Sequence, residues 1–127
     1  MDFERLEVWK KSSRLCVDIC RQLESCRNYG LKDQLCRSSL SVPSNIAEGE
    51  ERETIKESAR FLYIAKGSCG EMITQLYIAA ELNYIEKDKA KMFINEAKHI
   101  SAMLAKMIKI RRGSVKEEEP DYITEIK

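Results

Sequence analysis

The chain has 127 residues, 43% hydrophobic and 34% charged, with 5 Gly and 2 Pro. That is enough for one hydrophobic core without staples, and too few turn-formers for a β-sandwich. A formal net charge of +1 excludes a general polycation, so any nucleic-acid partner must be held by a local or repeated patch.

The first apolar stripe runs Leu6, Trp9, Ser12, Cys16, Ile19, Leu23, Cys26, with Arg14, Asp18 and Arg21 turned away. Steps of three and four mark one face of an α-helix. Asn28, Tyr29 and Gly30 interrupt it and are expected to make a tight helix–helix turn. A second stripe, Leu31, Leu35, Ser38, Val42 and Ile46, ends at Gly49, a residue suited to the position just past a helix. Pro43 lies inside it and crowds the Ser39 carbonyl, at a cost of about 3 kcal/mol in a helix interior. The stripe stays in phase across the proline, so the helix is expected to continue with a kink. Ser39, Ser41 and Ser44 are placed to satisfy freed backbone groups.

Thr54 is the expected cap of a third helix, with Glu57 in capping-box register. Its stripe is Ile55, Ala59, Leu62, Ala65, Cys69, Met72, Leu76 and Ala80, ended by Asn83 and Tyr84. Gly67 and Gly70 sit mid-helix, each costing about 1 kcal/mol against Ala, which suggests that a neighbouring helix comes close there. The fourth stripe is Ala90, Phe93, Ala97, Ile100, Leu104, Met107 and Ile108, with Asp88 as candidate cap and Gly113 as a stop. Short links make such helices antiparallel neighbours. The expected fold is all-α, an antiparallel up-down-up-down four-helix bundle over residues 1–113, followed by an exposed acidic tail over 114–127.

No apolar run approaches the ~20 residues of a membrane span, and residues 1–11 are charged throughout. Cys16, Cys20, Cys26, Cys36 and Cys69 are odd in number and contain no CxxC pair. A cytoplasmic chain with reduced thiols, no membrane association and no secretory leader is expected. Cys16 and Cys20, four apart on one helical face, read as small core residues rather than metal ligands.

Chemistry is hard to place on this pattern. Glu96 and His99 have the Glu-x-x-His spacing of di-iron bundles, but such a site needs two of these motifs, and His99 is the only histidine. The cysteines lie on core stripes, where thiols are usually inert. Gly67 and Gly70 lie inside a helix and make no phosphate loop. The expectation is therefore no enzyme, no catalytic residue, no cofactor and no metal.

Charge is uneven along the chain. From Glu86 to Lys116, nine Lys/Arg face three acids for a net +6, whereas Glu117 to Lys127 carries −4. Lys106, Lys109, Arg111 and Arg112 gather at one helix end, and Lys10, Lys11 and Arg14 lie on the first helix. These seven are the candidate phosphate contacts. The competing reading is a solvated face with cations favourably placed near a helix C-terminus.

The run from Gln34 to Gly49, containing Ser41-Val-Pro-Ser-Asn-Ile-Ala-Glu-Gly49, resembles the signature of the four-helix-bundle proteins encoded in intervening sequences of bacterial 23S rRNA genes. Leu6-Glu-Val-Trp-Lys10 and Phe61-Leu-Tyr-Ile-Ala-Lys-Gly-Ser-Cys-Gly-Glu71 are similar to that family in order and spacing. The match covers about residues 3 to 110. The resemblance implies a ring-shaped homo-pentamer that binds nucleic acid and has no established catalysis. It extends to the accessory protein of diversity-generating retroelements, which binds its reverse transcriptase and RNA. Near-neutral charge departs from that strongly basic relative. No active site is agreed for the family, so none is carried over.

The signature residues Gln34, Arg37, Asn45, Glu48, Ser68 and Glu71 read first as structural. With the second and third helices antiparallel, Arg37 falls within about one turn of Glu71. An Arg37–Glu71 pair, with Asn45 and Glu48 bonding across helices, would fix the register. A ligand-contact role for Asn45, Glu48 and Ser68 is the alternative. Two functional readings follow: an oligomeric module binding RNA or DNA through the seven cations, or a scaffold for a protein such as a reverse transcriptase or ribosomal component. Tyr63, Tyr77, Tyr84, Phe61 and Ile64 fall partly off the core stripe of the third helix, as residues at a subunit contact do; ordinary scattered surface aromatics are the alternative reading.

Overall fold

The four stripes form α1 (Glu7–Gln22), α2 (Tyr29–Glu50), α3 (Ile55–Glu81) and α4 (Lys87–Glu118), after a short 3₁₀ turn over Asp2–Arg5. The computed structural model describes residues 2–118, with side chains as far as residue 113. Neighbouring helices run in opposite senses, as their contacts show. Ser39 reaches Cys16 while Cys36 reaches Cys20, so α2 descends as α1 rises; Ser38 meets Gln75 and Ser41 meets Ser68 between α2 and α3. Lys98 meets Tyr77, and Arg112 meets Tyr63 further along α4. This is the expected all-α bundle.

Ile19, Leu23, Leu35, Ile46, Leu62, Leu76, Ile100 and Leu104 are fully buried where the stripes meet. Each such side chain stabilises the fold by about 1.5–3 kcal/mol. Val8 and Leu15 join them, although the first stripe as read from the sequence passed them by. Trp9 is only half-buried and packs edge-on to Phe3, with ring centroids 5.4 Å apart.

The ends of the helices are closed locally. Thr54 accepts the Glu57 N–H at 3.1 Å, as its spacing suggested. Asn28 does the same for Leu31 at 3.1 Å, so Tyr29 and Gly30 belong to the first turn of α2 and the expected turn lies earlier. α3 ends at Asn83, whose φ of 64° is left-handed. The Asn83 and Tyr84 N–H groups donate back to Ala80 and Ala79, the double closure of a Schellman motif. Asp88 sits in the first turn of α4 rather than before it.

Proline continues its helix as expected, whereas glycine departs from expectation in three places. α2 passes through Pro43 unbroken, with the proline buried. Gly49 is not a stop but a buried residue of the last turn, where an added Cβ would lie 3.1 Å from Phe61 Cβ and 3.1 Å from the Ser58 carbonyl. It is here that a helix comes close. Gly67 and Gly70, by contrast, have nothing within 4 Å of the same position and are exposed. Gly113 does not stop α4, which continues to Glu118. The acidic tail beyond that point lies outside the described residues.

Helix lengths decide what remains open. α1 has 16 residues against 32 in α4, about 24 Å against 48 Å. Lys11 of α1 lies level with Glu96 of α4, so the stretch of α4 beyond Ile100 projects past the start of α1.

Gly49→Val should lower stability by about 1–3 kcal/mol through overpacking, whereas Gly67→Ala and Gly70→Ala should each raise it by up to about 1 kcal/mol. Urea denaturation followed by the fluorescence of Trp9 measures all three. Equal effects at the three glycines would contradict the packing.

Candidate nucleic-acid interface

The seven candidate cations fall into two groups. Lys10 pairs with Glu7 at 3.7 Å, Lys11 with Glu96 at 3.9 Å, and Arg14 with Asp18 at 2.8 Å. They border an open cleft of about 550 Å³ between α1 and α4, floored by Leu15, Met92 and Phe93. Each cation there already faces a carboxylate, and such exposed pairs are worth little but do mute the local field.

The second group lies 10 to 16 positions further along α4 than Glu96, about 15–24 Å away. That exceeds the screening length of about 8–10 Å at physiological salt, so the groups do not act as one patch. Within it Arg111 turns inward to Glu50 at the end of α2, and its Nη1 is buried without a partner. This corrects its assignment as a phosphate contact: Arg111 ties α4 to α2. Arg112 lies over the Tyr63 ring, 4.6 Å from the centroid. Lys106 and Lys109 are exposed and have no acidic partner among the described residues. Residues 98–112 contain no Asp or Glu at all.

The signature residues form a different feature. Gln34, Arg37, Ser68 and Glu71 border a polar cleft of about 350 Å³ between α2 and α3, together with Ser38, Ser41 and Gln75. The bonds that cross it are Ser41 Oγ to Ser68 Oγ at 2.8 Å and Ser38 Oγ to Gln75 Oε1 at 2.6 Å. Gln75 was not singled out in the sequence, and Ser38 and Ser41 were read there only as a stripe residue and a partner for backbone groups near Pro43. Gln75 stands seven residues after Ser68 on the same face, a signal that could have found it.

Three expected cross-helix contacts are absent. Arg37 pairs with Asp33 one turn back at 3.3 Å rather than with Glu71. Asn45 donates to the Ser41 carbonyl at 2.8 Å and to Ser41 Oγ at 2.9 Å. Glu48 pairs with Arg52. In each case a partner three or four residues away is met without crossing the groove.

Glu96 faces Lys11, while His99 is exposed. Among the described residues no three His, Cys, Asp or Glu side chains come together as metal ligands would. All five cysteines are free. Burial pushes the Cys69 thiol up to about 12, slightly countered by Lys66. Burial, then the hydrogen bond and charge of Cys36, push Cys20 to about 11. Cys16 is raised by burial against a lowering bond from Ser39. No helix among the described residues is long and apolar enough to cross a membrane.

The model of the 23S rRNA-intervening sequence protein family matches residues 4–106. Among solved structures, the fold is similar to a crystal structure of a protein of unknown function from the S23 ribosomal protein family of Bacteroides thetaiotaomicron. The TM-score is 0.76 at 24% identity, covering 80% of this chain and 98% of that one. No curated protein matches the chain.

Glu50→Gln should destabilise the bundle by about 1–2 kcal/mol, because it leaves the partly buried Arg111 guanidinium uncompensated; a shift in the urea midpoint measures this. Both raised thiols stay almost wholly protonated at pH 8, Cys69 the more so because burial raises it further. Native alkylation by iodoacetamide, located by mass spectrometry, should therefore be slowest at Cys69. It should accelerate about tenfold per pH unit at Cys20 until pH passes its folded value.

Proposed function

The chain belongs to the 23S rRNA-intervening sequence protein family, and on that premise we propose that it is a non-catalytic, self-associating bundle that binds nucleic acid. RNA comes first because the family's description and that of the structural neighbour both carry a ribosomal association. The observation that carries the reading is the carboxylate-free stretch 98–112, in which Lys106 and Lys109 stand exposed with no acidic partner among the described residues. Phosphate binding draws its free energy from releasing counterions, and cations already neutralised by acids contribute less to it. Lys106, Lys109 and Arg112 are thus the principal contacts, and Lys10, Lys11 and Arg14 a weaker second patch.

Self-association would repeat this patch, which offsets the near-neutral charge of one subunit. The homo-pentamer implied by the family resemblance is the proposed assembly. Exposed apolar side chains on α1 and α2 favour it: Val17 is 40% and Leu40 57% exposed. A scaffold role, with no nucleic acid involved, is the second reading. It draws on the same apolar exposure.

The test is fluorescence anisotropy with a structured RNA across a salt series, alongside light-scattering measurement of size. Affinity should fall steeply with salt. Lys106→Glu with Lys109→Glu should weaken binding at least tenfold, and Lys10→Glu with Arg14→Glu by only a few-fold. No RNA binding, together with salt-insensitive capture of a protein, would replace this reading by the scaffold.

A further inference from the structure

One long face of the bundle combines cations, exposed rings and an open floor. Lys98 Nζ lies 5.9 Å from the Tyr77 ring centroid and 3.4 Å from its hydroxyl, and Arg112 lies 4.6 Å from the Tyr63 centroid. Both contacts obey one antiparallel register, which puts Lys66 level with Lys109 and Gly70 level with Ala105. At 3.6 residues per turn, Tyr63, Lys66, Gly70 and Tyr77 share one side of α3, and Lys98, Lys109 and Arg112 one side of α4. Between residues 63 and 77 the only carboxylate is Glu71, which borders the opposite groove with α2. Gly67 and Gly70 have open space where a Cβ would be, and Ala102 and Ala105 are exposed. The mid-helix glycines, which no neighbouring helix requires, thus lower the floor of this face. A shallow trough results, with a tyrosine near each end and cations along its rims.

We infer that this α3–α4 trough binds single-stranded nucleic acid, with bases stacked on Tyr63 and Tyr77 and phosphates carried by Lys66, Lys98, Lys109 and Arg112. The inference rests on the nucleic-acid reading above and names the form of strand and the residues that sort it. Tyr63 is 48% and Tyr77 54% exposed. A duplex hides its base faces and would leave both rings unused, whereas an unpaired strand offers a π-face at every base. Arg112 and Lys98 each take one face of their ring, so the base stacks on the other face and the cation stands beside its phosphate. The rings are 14 positions apart on α3, about 21 Å, which six stacked nucleotides span at about 3.4 Å each.

The experiment compares binding of a labelled oligouridine of about 12 nucleotides with that of an RNA duplex of equal length. The full chain is used throughout, with the size and melting of every variant checked. The single strand should bind more tightly at equal salt. Tyr63→Leu and Tyr77→Leu should each weaken it about tenfold while leaving the salt slope unchanged. Lys66→Ala and Lys109→Ala should each reduce that slope by about 0.7. Tyrosine variants that bind like the parent, while lysine variants weaken, would overturn the stacking trough and leave the broader reading standing. Preference for duplex would do the same, as would tyrosine variants that change only the assembly size. Absence of any salt-sensitive binding would sink both.

Discussion

The bundle depends on four apolar stripes sealing against one another along their whole shared length. Ile19 and Leu23 of α1, Leu35 and Ile46 of α2, Leu62 and Leu76 of α3, and Ile100 and Leu104 of α4 are completely enclosed. A seal of this kind favours charged side chains in the grooves and on the outer faces, while a few small hydroxyls such as Ser12 and Ser39 are buried with it. The cysteines follow the same rule. Cys16 and Cys69 lie within the seal, and burial makes their thiols harder to ionise.

Around that seal the three grooves between chain neighbours differ in character because their small residues differ. Between α2 and α3, Gly49 allows the backbones to approach, and Ser38, Ser41, Ser68 and Gln75 bond across the remaining gap. Within the signature string, Ser38, Ser41 and Gly49 thus meet α3, whereas Arg37, Asn45 and Glu48 bond four residues away along the chain. Between α3 and α4, Gly67 and Gly70 face outward, and space is left over instead of being filled. Between α1 and α2, cysteines and serines meet, with little charge nearby.

The shortness of α1 shapes the electrostatics. Its cations sit where α4 still offers Glu96, and α1 supplies Glu7 and Asp18 to the others. Past the start of α1, α4 carries only basic residues among its charges as far as Arg112. Arg111 finds Glu50 because the end of α2 comes within reach, but Lys106 and Lys109 have no such neighbour among the described residues. A chain close to neutral overall thus acquires a one-signed field over part of its surface, as ligand steering requires.

The number and order of the helices were legible in the sequence, since a 3.6-residue period is a local property; a boundary was legible only where a cap fixed it, and Gly49 and Gly113 ended nothing. Thr54 and Asn83 behave as their residue types dictate, and the in-phase stripe across Pro43 kept α2 whole. The site was legible only as composition: too many cations in one stretch, with no means of pairing them. Which cations stay free depends on the register between helices and on their relative lengths, and these are set when all four stripes pack at once. The same holds for Arg37 turning to Asp33 instead of Glu71, and for Gly49 rather than Gly67 or Gly70 marking the close approach. Local order came from the chain itself; the placing of charge and space came from packing, because only packing brings distant turns side by side.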